Sequence, residues 1–327
     1  MADDAILQVK GLVTSFQTEA GTIRAVEDVS FDVHKGQTLG IVGESGCGKS
    51  VTSLSIMRLL PKPFGHIESG EIILDKQDLL KLPAKKMHHI RGNRISMIFQ
   101  EPMTALNPVH RIGKQIGESF MLHQPDMNEQ AIYEASVEML HLVGIPAPEQ
   151  RIQEYPHQLS GGMRQRVMIA IALACKPDIL IADEPTTALD VTIQAQILEL
   201  MKSLQKTSKM AIIFITHDLG VIAEVCDDVV VMYAGKIAEK ASVHDLFQSP
   251  RHPYTKGLLS AIPKLDNPPK QKLQTIEGSV PDLMSLPTGC RFQNRCFYME
   301  ERCQSQPPPL EQIDTDHFVN CHRWKEI

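Results

Sequence analysis

The stretch Thr38–Ser50, TLGIVGESGCGKS, constrains the fold of this chain more than any other. A short apolar run of this kind reads as a buried strand, and it opens directly into a glycine-rich loop. Gly43, Glu44, Ser45, Gly46, Cys47, Gly48, Lys49 and Ser50 fit the pattern G-x-x-x-x-G-K-[ST]. Its glycines let backbone N–H groups close around phosphate oxygens. The helix expected from Ser50 and Val51 to Leu60 turns its positive N-terminus toward the same anion. Lys49 can reach the outer phosphates of a nucleotide, and the Ser50 hydroxyl can ligate Mg²⁺. Pro61, Pro63 and Gly65 stop that helix.

Around this centre the chain alternates strand and helix patterns. Ile6–Phe16 and Ile23–Val33 mix apolar and polar positions like half-buried strands, with Gly21 at the turn. Residues from about 101 to 158 are long on helix formers and include the periodic stretch Asn128–Val143. Asp178–Ala182 and Met210–Ile215 read as buried strands separated by a helix over Val191–Leu204, and Val229–Glu239 reads as a hairpin turning at Ala234-Gly235. The pattern predicts an α/β fold with a parallel core, an antiparallel N-terminal sheet and a helical insertion.

Two further motifs carry chemistry. In Ile179-Leu-Ile-Ala-Asp183-Glu184, an apolar strand delivers Asp183 to its carboxyl end, where it can hold Mg²⁺, and Glu184 is next in line to polarise an attacking water. In Leu159-Ser160-Gly161-Gly162-Met163, a serine and bare glycine amides open a helix, Arg164–Ala174, and offer a second phosphate-binding terminus.

Here the chain resembles the ABC-type ATPases, over roughly Ile6–Phe247. Leu159–Met163 is similar to their signature sequence, with Met163 where Gln is usual. The resemblance implies that this loop completes the nucleotide site of an opposite subunit. It implies that Gln100, after the apolar run Ile95–Phe99, senses Mg²⁺ and water and links them to the insertion. Thr187-Ala-Leu-Asp190 resembles the loop that crosses the dimer interface, with Asp190 at the nucleotide. His217 resembles the switch histidine that contacts the γ-phosphate, and Phe16 stands where an aromatic ring stacks on adenine. The implied fold is the ABC nucleotide-binding domain: a RecA-like parallel core, an antiparallel β subdomain and a helical subdomain. Residues 1–245 are assigned to it, the helical subdomain at about 101–165. Residues 246–327 form a C-terminal extension.

Phe99-Gln-Glu-Pro-Met-Thr-Ala-Leu-Asn-Pro108, Tyr155-Pro-His-Gln-Leu-Ser160 and Pro250-Arg-His-Pro-Tyr-Thr255 narrow the resemblance to the D-type ATP-binding subunits of dipeptide/oligopeptide permeases. That resemblance implies an ATPase using ATP and Mg²⁺ and coupled to peptide uptake. Its implied partners are a second, related ABC ATPase, two transmembrane permease subunits and an extracytoplasmic peptide-binding protein. Relatives that import nickel or other small solutes are the alternative. A non-transport ABC ATPase of DNA maintenance would interrupt the cassette with a long coiled coil. Here Ser50 and Asp183 lie 133 positions apart (183 − 50), with no heptad run.

The formal net charge of −6 gives no general basic surface for nucleic acid. The start MADDAILQVKG shows no basic leader. No window approaches the roughly 20 apolar residues of a spanning helix. The chain is therefore expected on the cytoplasmic face of the cell (inner) membrane, held there by partners. Seven cysteines without a leader suit a reducing compartment, with Cys47 filling a variable position of the loop. Four of them, Cys290, Cys296, Cys303 and Cys321, crowd a proline-rich tail with the spacing C-x5-C-x6-C-x17-C. Four thiolates suit an iron–sulfur cluster or zinc. The tight C-x2–4-C pairs of structural zinc sites are missing, and free thiols are the remaining alternative. The permease resemblance implies a [4Fe–4S] cluster.

Overall fold

The computed structural model describes residues 5–100, 105–187, 189–262 and 275–327. Glu101–Thr104, at the start of the expected insertion, and Ala188, in the expected interface loop, lie outside them. The described strands are β1 (Ala5–Thr18), β2 (Gly21–His34), β3 (Thr38–Val42), β4 (Gly65–Leu74), β5 (Gln77–Asp78), β6 (Ile95–Ile98), β7 (Ile179–Asp183), β8 (Ala211–Thr216), β9 (Asp228–Tyr233), β10 (Lys236–Ser242), β11 (Glu311–Asp314) and β12 (His317–Val319). The chain divides into two compact units. One holds Met1–Ile6, His34–Gln37 and Lys81–Ile213; the other holds Leu7–Val33, Thr38–Leu80 and Phe214–Ile327.

In the first unit β6 and β7 pair in parallel, Ile95 opposite Ile179 and Met97 opposite Ile181. Every residue of both strands is buried. Parallel strands covered on both faces read as continuous apolar runs, and for that reason ISMI and ILIAD were legible as strands. Around them lie the helices Ile112–His123, Glu129–Leu142, Gly161–Leu173 and Val191–Ser208. Three of these begin on a side-chain cap: Asn128 accepts from the Ala131 N–H, Ser160 from Met163 and Asp190 from Ile193. Each cap satisfies one of the amides that a helix start leaves without a partner.

The second unit has two sheets. The first is antiparallel, in the order β2-β1-β4-β5, with Phe16 of β1 opposite Gly65 of β4. The second runs β11-β12-β10-β9-β3, parallel between β3 and β9 and antiparallel in the β9–β10 hairpin. That hairpin turns on Ala234 and Gly235, both at positive φ, the geometry of a two-residue primed turn. The helix after β3 covers Lys49–Ile56 and stops short of the expected Leu60. Arg58 takes φ 52°, and the Leu59 N–H bonds back to the Leu54 carbonyl, a left-handed C-terminal closure that precedes the prolines.

Past the proline-rich, cysteine-bearing segment, the tail adds two short strands to a sheet. β12 pairs with β10, Glu239 opposite Val319, and β11 extends the same sheet. Glu239 at that junction is fully buried, and its carboxylate accepts from the Arg251 N–H (2.7 Å), the His252 N–H (2.9 Å) and His317 Nε2 (2.8 Å). A buried carboxylate with this many donors is compatible with a folded core.

Candidate nucleotide-binding site

In the second unit the loop Gly43–Gly48 leaves β3 and enters the helix Lys49–Ile56. Gly43 has φ 151° and a Cβ there would stand 2.2 Å from the Met232 carbonyl oxygen; Gly48 has φ 104° and a Cβ would stand 2.6 Å from that of Ala25. Both positions exclude any side chain. Lys49 is buried, and its ammonium donates to the carbonyls of Gly43 (2.7 Å) and Glu44 (3.2 Å), so it closes the ring of the loop from inside. The buried Cys47 thiol lies 3.8 Å from the same ammonium, and burial pushes its pKa up. Cys47 accordingly behaves as a small apolar filler. Ser45 and Gly46 are exposed, and Ser50 and Val51 half-buried on the helix's first turn. Phe16 is half-buried near the end of β1. His217 is exposed just past β8, before the Asp218-capped helix Leu219–Val225.

In the first unit β7 ends at the buried Asp183. Glu184 follows with φ 49°, a left-handed conformation rare for this residue type. Its carboxylate accepts from Gln100 Nε2 (3.1 Å) and from the Thr187 hydroxyl (3.0 Å). The strand-end glutamine expected to sense Mg²⁺ and the expected water-polarising carboxylate are thus brought together. Ser160 caps the helix Gly161–Leu173 with its side chain exposed, and Gly161 faces open space. Gly162 packs against Ile193, and Asp190 caps its own helix at the surface. One residue the sequence reading missed is Gln165, buried in the helix after the signature glycines, whose amide donates to the Pro185 carbonyl (2.5 Å). Hydroxyl and carboxylate oxygens such as those of Ser50 and Asp183 are the donor set that suits Mg²⁺.

The four tail cysteines converge. Cys290, Cys296, Cys303 and Cys321 line a single cavity of about 10 Å³, room for roughly one water. Burial, then the charge of neighbouring cysteines, pushes the thiols of Cys290, Cys296 and Cys321 up to about 11. A bound cation reverses such a shift. Among the described residues no three His, Cys, Asp or Glu side chains already stand in a metal-holding arrangement. The donor chemistry fits a thiophilic metal, whereas the spacing of the thiols falls short of a ligand set.

Comparison with known proteins agrees with this architecture. Residues 26–187 match the ABC transporter family model, and residues 238–303 match that of the oligopeptide/dipeptide transporter C-terminal region. The chain is 54% identical to the dipeptide transport ATP-binding protein DppD of Bacillus subtilis, over 97% of this chain and 94% of that one. It is 52% identical to the oligopeptide transport ATP-binding protein OppD of the same organism, over 96% and 87%. A solved dimeric ATP-binding cassette, in a post-hydrolysis state with ADP and Pi, superposes with TM-score 0.65 at 26% identity, covering 72% of this chain and 98% of that one. The chain belongs to the ABC transporter ATP-binding proteins, in the branch that carries the oligopeptide/dipeptide transporter C-terminal region.

Proposed function

We propose that this chain is the D-type ATP-hydrolysing subunit of an ABC importer that takes up di- and oligopeptides. The observation that carries the reading is end-to-end similarity, above 50% identity, to proteins named for dipeptide and oligopeptide transport. In this reading Gly43–Ser50 holds the phosphates, with Lys49 on the outer ones, Ser50 and Asp183 on Mg²⁺ and Phe16 against the base. Glu184 orients the attacking water, steadied by Gln100 and Thr187; His217 meets the γ-phosphate. Mg²⁺ supplies neutralisation of the phosphate charge. Ser160, Gly161, Gly162 and Asp190 face the site of a second, related ATPase. No helix among the described residues is long and apolar enough to cross a membrane. Attachment to the inner face of the membrane then falls to the two permease subunits, reached through residues of about 101–165. The exposed Val109, Met121 and Leu122 suit such a contact. An external binding protein delivers the peptide.

The test is uptake by vesicles that contain the permeases, both ATPases and the binding protein. Dipeptide uptake should require ATP, and Glu184→Gln should keep ATP binding while lowering turnover at least about a hundredfold. Nickel uptake without peptide uptake would reassign the substrate, and wild-type turnover in Glu184→Gln would remove the role given to Glu184.

The four-cysteine cavity is read as the seat of a [4Fe–4S] cluster, supported by the convergence of four thiols from one segment. Anaerobically purified protein is expected to be brown with about four irons per chain, and to bleach on Ser replacement of any of the four but not of Cys47, Cys175 or Cys226. One zinc per colourless chain would replace iron by zinc, and a metal-free preparation would leave four thiols.

A further inference from the structure

The phosphate loop carries an acidic residue, Glu44, directly after its first glycine. A carboxylate beside a polyphosphate site repels the ligand it frames. In this chain the carboxylate is engaged from the C-terminal extension. Arg295 grips it with two prongs, Nη1 to Oε2 at 2.6 Å and Nη2 to Oε1 at 3.0 Å. The Arg295 side chain is 3% exposed, and it is itself held by the carbonyls of Glu277 (3.0 Å) and Ile276 (3.3 Å). The backbone of Glu44 is engaged from the same region: its N–H donates to the hydroxyl of the fully buried Tyr254 at 2.9 Å. The Phe292 ring packs edge-on against Tyr233 (5.1 Å) and tilted against Tyr254 (5.5 Å), locking the two grips into one aromatic block.

We propose that Arg295 is a positioning residue of the nucleotide site: it neutralises Glu44 and, with Tyr254, fixes the first turn of the phosphate loop, so that the extension completes the site for ATP. The proposal rests on the nucleotide reading of Gly43–Ser50. Paired, planar contacts of this kind are an arginine speciality, and a lysine keeps the charge without the geometry.

The test is titration of the full-length chain with a fluorescent ATP analogue and Mg²⁺. Arg295→Gln should bind about tenfold more weakly than wild type, because Glu44 is left charged and unpaired beside the phosphates. Glu44→Gln combined with Arg295→Gln should recover affinity to within about threefold, and Arg295→Lys should also stay within about threefold. Wild-type affinity in Arg295→Gln, or a double variant no tighter than Arg295→Gln, overturns the proposal. If Arg295→Gln does not fold, as read by circular dichroism, a tenfold loss in Arg295→Lys overturns it instead. If the wild type binds no better than Lys49→Ala, the nucleotide reading itself fails, which is a separate result.

Discussion

Gly48 shows how little freedom the phosphate loop has. Its φ of 104° lies where L side chains are strained, and a methyl group would meet the Ala25 carbonyl at 2.6 Å, a backbone atom that cannot swing away. Gly48→Ala is therefore expected to cost about 2 kcal/mol or more of stability and to abolish ATP binding. Urea unfolding and nucleotide titration would measure the two effects, and an Ala variant with wild-type stability would show that the loop yields. The glycine spacing announced this constraint in the sequence because positive φ and close approach both demand that one residue type. The partners of Glu44 were not announced. Arg295 lies 251 residues away, and no local pattern marks which arginine answers which glutamate. Glu184 is intermediate: its place after an apolar strand was legible, but its left-handed backbone and its grip by Thr187 were not.

Among the elements, the short buried strands were legible to within a residue, because burial on both faces leaves an unbroken apolar run. β11 and β12 were not: EQID and HFV are brief and partly polar. They become strands only through pairing with β10 and each other. The same tail reaches back to β2, where Arg291 contacts Glu27 at 2.5 Å and Lys236 contacts it at 3.1 Å. Burial raises the Glu27 carboxyl, but the two cations outweigh it and hold it below its usual 4.5. A depressed folded value means that this stability is present above 4.5 and is lost as pH falls through the lower folded value. Glu27→Gln should thus cost about 1 kcal/mol near neutral pH, and the cost should vanish in acid below the carboxylate range. Denaturant midpoints of the two proteins at both pH values would check this, and an equal cost at both would point to packing instead of charge.

At the scale of the whole molecule, the exposed Ser160 and Gly161 offer amides and a hydroxyl to solvent at a helix terminus. In the proposed function this terminus meets the phosphate of a nucleotide held by the partner ATPase. The isolated chain is expected to sediment as a monomer with low ATPase activity, and to gain activity, by at least about tenfold, only with the related ATPase and the permeases present. Analytical ultracentrifugation with and without ATP would settle the point; a stable and fully active homodimer would contradict it. In the proposed function, specificity for the transported solute belongs to surfaces on other chains.

The grip on Glu44 also sets a timetable. The ribosome makes the phosphate loop early, but Tyr254 follows Glu44 by 210 residues and Arg295 by 251. At bacterial-type elongation of about 5–20 residues per second, the loop waits roughly 10 to 50 s for its last brace. In the proposed role of Arg295, a chain cut short upstream of it leaves Glu44 without its paired contact and binds nucleotide about tenfold more weakly. On the proposed role of Arg295, a segment translated late tunes the affinity of a loop translated early.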